Sequence, residues 1–198
     1  MNVGEELQKL NVGEEEFQFS QVVINPETIR AVMINEIVPA DPADDFYGGT
    51  KAAYMSTTIP LFQKAGIQVN TVQNILDKGI YITNAVKISK TDYTVAKESI
   101  EKSLPYLERE LALFSNVKVI MLMGDVAKKA FNMISKKETR KNAVPSISTY
   151  KLRHSEIFYK GIRIIPSYIM TGKNLLIEKS KFEMASEDIA AMYKLIME

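Results

Sequence analysis

The chain has 198 residues, no cysteine and a single histidine, His154. The first absence excludes disulfides, thiol nucleophiles, thiolate zinc sites and cysteine-held iron–sulfur clusters. The second leaves little for a histidine-based metal site, and the carboxylates show no magnesium signature. No apolar run approaches the length of a membrane span, so no membrane partner is expected. The first ten residues, MNVGEELQKL, are acidic near the start and lack a hydrophobic core, unlike a signal peptide. A cytoplasmic protein is the expectation. Strong net charge is also missing, since the formal total is +1.

What is present is ordinary in amount and uneven in placement. Hydrophobic residues make up 46% and charged residues 25%, enough for one domain with a substantial core. Residues 1–50 hold ten acids and two bases, whereas residues 125–163 hold ten bases and three acids. The basic stretch includes Lys128, Lys136 and Lys137, and it reads either as a phosphate-facing surface or as a solvated helix face and loop. The pentapeptide NVGEE occurs at 2–6 and again at 11–15, and two such copies do not make a repeat protein. Residues 1–27 read as a short helix or arm packed on a domain spanning 28–198.

Apolar patterning gives the order of elements. A strand over Ala31–Asn35 runs into a loop held irregular by Pro39 and Pro42. A helix interrupted near Pro60 stops at Gly66. Ile80–Thr83 is a second core strand. Ile100, Leu104, Leu107, Leu111 and Phe114 step by three and four, the helical period, with Pro105 inside. VKVIMLMG, ending at Gly124, is a strand buried on both faces, and a helix starts at once from Asp125. A hairpin around Lys160–Gly161 supplies the last core strand, and an amphipathic helix closes the chain. This alternation predicts an α/β fold, a three-layer α/β/α sandwich around a four-stranded, mostly parallel sheet. Ligands of such sheets lie beyond the carboxyl ends of the strands. Those exits are Asn35–Glu36, Asn84, Gly124 and Pro166–Ser167.

Asn84 is unusual at the end of a core strand, because asparagine is depleted in strands. Its amide offers a donor and an acceptor to a flat polar ligand, or it caps its own loop.

Three stretches together resemble the uracil-DNA glycosylase superfamily, and most closely its family 4 type. They are AGIQVNTVQNILDKGIYITNAVKISK, SLPYLERELALFSNVKVIMLMGDVAKKAF and LRHSEIFYKGIRIIPSYIM. The resemblance runs from about Thr28 to the C-terminus. It implies a pocket for an extrahelical uracil in DNA, and chemistry that needs neither cofactor nor metal. It implies that Asn84 reads the uracil edge. Uracil shows an N3–H donor beside carbonyl acceptors, and cytosine would leave a buried amide unpaired at about 1–3 kcal/mol per group. By the same resemblance, Glu36 stabilises the oxocarbenium-like cation or orients water, with Asn35 as a second candidate for placing water. Phe46 or Tyr47 supplies the aromatic that stacks on the base.

The chain departs from the family in two places. The first-strand motif GEAPG is here Asn35-Glu36-Ile37-Val38-Pro39. The HPS motif, matched to Ile165-Pro166-Ser167, has lost the histidine that donates to the departing base, a loss typically worth a factor of about 10²–10³ in rate. Ser167 remains as a phosphate contact. Tyr168, Ile169 and Met170 stand where the family places a wedge, or they pack the loop. Three readings stay open: a divergent glycosylase acting on uracil or another deaminated base, a degenerate binder of the same fold, and a binder of free nucleosides or nucleotides.

Overall fold

The computed structural model describes residues 1–198. Its centre is one sheet of five strands in the order β2-β1-β3-β5-β4. These are β1 (Ala31–Ile37), β2 (Ile80–Val86), β3 (Val119–Met123), β4 (Ile157–Tyr159) and β5 (Ile162–Ser167). Four of them run parallel, and β4 pairs antiparallel with β5. The expected count of four is therefore corrected to five. The first arm of the hairpin does not stop at the turn but pairs with β5 and forms the sheet's outer edge. Lys160 and Gly161 both have positive φ, 50° and 80°, the paired left-handed conformation of a two-residue hairpin turn.

Helices cover both faces. One face packs against α4 (Lys97–Leu111) and α5 (Asp125–Thr139), with the short α1 (Val3–Gln8) outside α4. The other packs against α2 (Met55–Lys64) and α7 (Lys179–Met197). Alternate strand residues divide between the two cores. Val32, Ile34, Ile120 and Leu122 face α4 and α5, while Ala31, Met33, Met121 and Met123 face α2 and α7.

Two local readings change. Pro60 lies inside α2 rather than interrupting it, at the cost of one helical hydrogen bond. The helix does end at Gly66, where Ile67 N–H reaches back to the Phe62 carbonyl and Gly66 adopts φ +83°, a Schellman closure. The short α3 (Val72–Asp77) was not foreseen. Its reciprocal cap is Thr71 with Asn74, where the usual signature has Glu or Gln at the third position. The small α6 (Thr149–Leu152) follows the loop after α5.

The outer edge of β2 is covered rather than open. Ile82 N–H donates to the Tyr47 hydroxyl at 2.9 Å, and Gln18 N–H donates to the Lys87 carbonyl at 2.7 Å. Such covering blocks pairing with another chain. The N-terminal segment is fastened to α4 as well, since Phe17 and Phe19 flank the Tyr106 ring at 4.5 and 4.8 Å.

Candidate functional site

The carboxyl ends of β1, β2, β3 and β5 meet at one rim of the sheet. Neither β1 nor β2 stops at its asparagine, as the sequence suggested. Both continue two residues further, and Asn35 and Asn84 are register partners within the ladder. Their side chains share the face that holds Met33 and Ile82. Asn35 Nδ2 donates to Asn84 Oδ1 at 2.8 Å, and Asn84 Nδ2 donates to the Asp45 carboxylate at 2.9 and 3.1 Å. Thr171 Oγ1 donates to Asn35 Oδ1 at 3.3 Å. The result is a chain of four side chains, Thr171–Asn35–Asn84–Asp45. Both asparagines and Thr171 are buried, and Asp45 is half-buried.

The carboxylate fixes this chain's direction. An ionised carboxylate accepts only, so Asn84 must turn its NH₂ towards Asp45 and its oxygen towards Asn35. Asn84 then keeps one N–H and one oxygen lone pair for a ligand. Burial raises the Asp45 pKa, partly opposed by the Asn84 amide and the Phe46 N–H. Asp45 and Thr171 had no signal in the sequence, being 39 and 136 positions from their partners.

Glu36 points the other way. As the next residue along β1 it faces α5, and its Oε2 accepts from Val126 N–H at 2.8 Å. It thereby caps the helix N-terminus, while Asp125 occupies the first turn, where its carboxylate suits the dipole as the sequence suggested. Asp125 itself is 91% exposed and pairs with Lys128 at 2.7 Å. Gly124, at φ +111°, leaves room for the Glu36 side chain, because a Cβ there would lie 2.8 Å from Glu36 Cδ. Desolvation raises the Glu36 pKa, and the Val126 N–H opposes it. Oε1 has no protein partner. The structure thus joins Asn35, Asn84 and Asp45 and sets Glu36 on the opposite side of the same rim.

Phe46 is 1% exposed and its ring lies 5.2 Å from that of Tyr54. Tyr47 stacks on Tyr81 at 5.8 Å, with its hydroxyl against Ile82. Ile165, Pro166 and Ser167 are the last three residues of β5, not a loop. Ile165 packs into the core on the α2/α7 face. Ser167 has no exposed surface, and its hydroxyl donates to Asp188 Oδ2 at 2.6 Å. Arg153 Nε donates to the same carboxylate at 3.1 Å. The exit loop begins at Tyr168, which is half-buried, and Met170 is fully buried. The position facing the asparagine pair is held by Thr171. His154 is exposed beside α7.

The lysines differ among themselves. Lys128 is 12% exposed in its side chain and is committed to Asp125 and the Thr149 hydroxyl. Lys137 pairs with Glu108 at 3.2 Å. Lys136 is exposed and forms no ion pair.

A second buried polar group was missed as well. Lys87 Nζ lies 2.5 Å from Glu110 Oε2 and donates to Thr83 Oγ1 at 2.8 Å. Tyr81 and Thr83 hydroxyls both donate to Glu110 Oε1 at 2.6 Å. This cluster ties β2 to α4 directly behind the asparagine. A lysine just after the strand hinted at it, but its partner on α4 did not stand out from the other acids there.

The family model described as the uracil DNA glycosylase superfamily matches residues 37–186, most of the chain. No curated protein matches it.

Proposed function

The chain belongs to the uracil DNA glycosylase superfamily, and from that premise we propose that it hydrolyses the N-glycosidic bond of uracil or another deaminated base in DNA. The observation that carries this reading is the oriented Asn84 carboxamide at the strand ends. Its free lone pair suits the uracil N3–H and its free N–H suits a uracil carbonyl. Reaching Asn84 requires the base to leave the stack, at a few kcal/mol of unstacking. Of the two aromatic candidates, Tyr47 is the one with exposed surface, since Phe46 is buried in the core. Glu36, with one unpartnered oxygen at the same rim, is the group to stabilise the cation or hold water. Asn35 acts by positioning Asn84.

Two observations favour a second reading, a nucleobase or nucleic-acid binder that has lost the reaction. Glu36 and Asn84 point to opposite faces of the sheet, and no histidine stands in the exit loop. The deciding experiment is excision from a uracil-containing single-stranded oligonucleotide, with alkaline cleavage at any abasic site. Wild type is expected to give scission that Glu36→Gln and Asn84→Ala abolish. No scission at high enzyme concentration, across uracil, hypoxanthine and xanthine, overturns the glycosylase reading in favour of the binder.

A further inference from the structure

A groove of about 710 Å³ runs between α4, α5 and the loop 142–147. It lies on the α4/α5 side of the sheet, away from the asparagine pair. Five lysines line it, and Glu101 is the only acid among its lining residues. Glu101 is already paired with Lys97 at 3.4 Å. Lys129 and Lys136 are exposed and form no ion pair, so their charge is available. They stand seven residues apart on one stripe of α5, about 10 Å along the axis. That distance is the rise of about three nucleotides of a stacked strand.

The walls are fixed. Asn132 clamps the loop through both ends of its amide, donating to the Val144 carbonyl and accepting from Val144 N–H, each at 2.9 Å. Lys128 holds Thr149 at the start of α6. The next residue, Tyr150, is 69% exposed, and Ile147 on the groove wall is 50% exposed. A basic groove with an exposed aromatic on the adjoining segment is the arrangement that holds single-stranded nucleic acid, phosphates on lysines and a base on the ring.

We propose that the α4/α5 groove binds a DNA single strand through Lys129, Lys136 and Tyr150, as a track separate from the Asn35–Asn84 site. The groove requires no excision chemistry, so it stands or falls apart from the reading above.

The test is fluorescence anisotropy with an end-labelled fifteen-nucleotide oligothymidylate, which contains no uracil, across a salt series. The expected result is that Lys129→Gln/Lys136→Gln weakens binding about tenfold or more and lowers the salt slope by about 1.4, two contacts at the single-strand value. Tyr150→Ala is expected to weaken binding about tenfold with the slope unchanged. The control is Lys64→Gln/Lys194→Gln, which removes two exposed lysines from α2 and α7 on the opposite layer. That control is expected to bind as wild type. The proposal is overturned if wild type fails to bind, if the groove variants bind as tightly as wild type, or if the control weakens binding equally.

Discussion

Asn35 and Asn84 face each other across the β1–β2 ladder, and the amide of the first donates to the carbonyl of the second at 2.8 Å. Each therefore sets the other's orientation. Asn35→Ala leaves the Asn84 oxygen without its donor and the Thr171 hydroxyl without its acceptor. A loss of about 1–3 kcal/mol is expected in urea unfolding, from unpaired buried polar groups. Preserved stability would show that water replaces both bonds.

Asp45 decides which end of Asn84 faces the ligand. Asp45→Asn removes that constraint, because a carboxamide both donates and accepts. The folded protein is expected to keep its stability at neutral pH, since burial disfavours the charge that is removed. Preference for uracil over cytosine is expected to fall about tenfold or more in competition binding or excision. Unchanged preference would assign discrimination elsewhere.

Glu36 gives a pH dependence of defined sign. Its folded pKa is raised by desolvation, so the fold favours the protonated acid. That contribution to stability is complete below the ordinary glutamate value and is lost as pH rises through the raised one. Glu36→Gln should therefore flatten the stability profile in that interval, as read by thermal melts. In the active protein, the acid limb of the rate profile should lie above the ordinary glutamate value, since the carboxylate form is the one that acts.

Gly124 leaves the space that Glu36 occupies. Gly124→Ala forces a Cβ against that side chain and keeps a left-handed backbone. A destabilisation of about 1–3 kcal/mol is expected from the strain, and any excision activity should fall with it. A variant as stable and as active as wild type would contradict the close approach.

The buried Lys87–Glu110 pair holds β2 to α4. Glu110→Ala strands an ammonium and two hydroxyls, and about 3–5 kcal/mol is expected to be lost on chemical denaturation. Adding Lys87→Met to that variant should recover part of the loss, because the uncompensated charge is gone. No recovery would place the cost in the Tyr81 and Thr83 hydroxyls.

Much of the fold was legible because it is periodic. The three-and-four spacing of α4, the apolar run of β3 and the Lys160–Gly161 turn all express local preferences. The fifth strand was miscounted because three residues of a hairpin arm look alike whether or not they join the sheet. The strand ends were misplaced because Asn35 and Asn84 are poor strand residues individually. Paired across the ladder, they share one buried hydrogen bond, Asn35 as donor and Asn84 as acceptor.

The sequence by itself determined the alternation of strands and helices, the absence of thiol chemistry and the placing of two asparagines and a glutamate near one rim. These follow from residue type and short-range spacing. Only the tertiary structure decided that Asn35 and Glu36 serve opposite faces of the sheet, because that depends on β1 continuing past them with its pleat intact. It also decided that Asp45 and Thr171 complete the asparagine chain, and that Ser167 is spent on Asp188. Those contacts join residues far apart along the chain, and the packing of whole elements creates them.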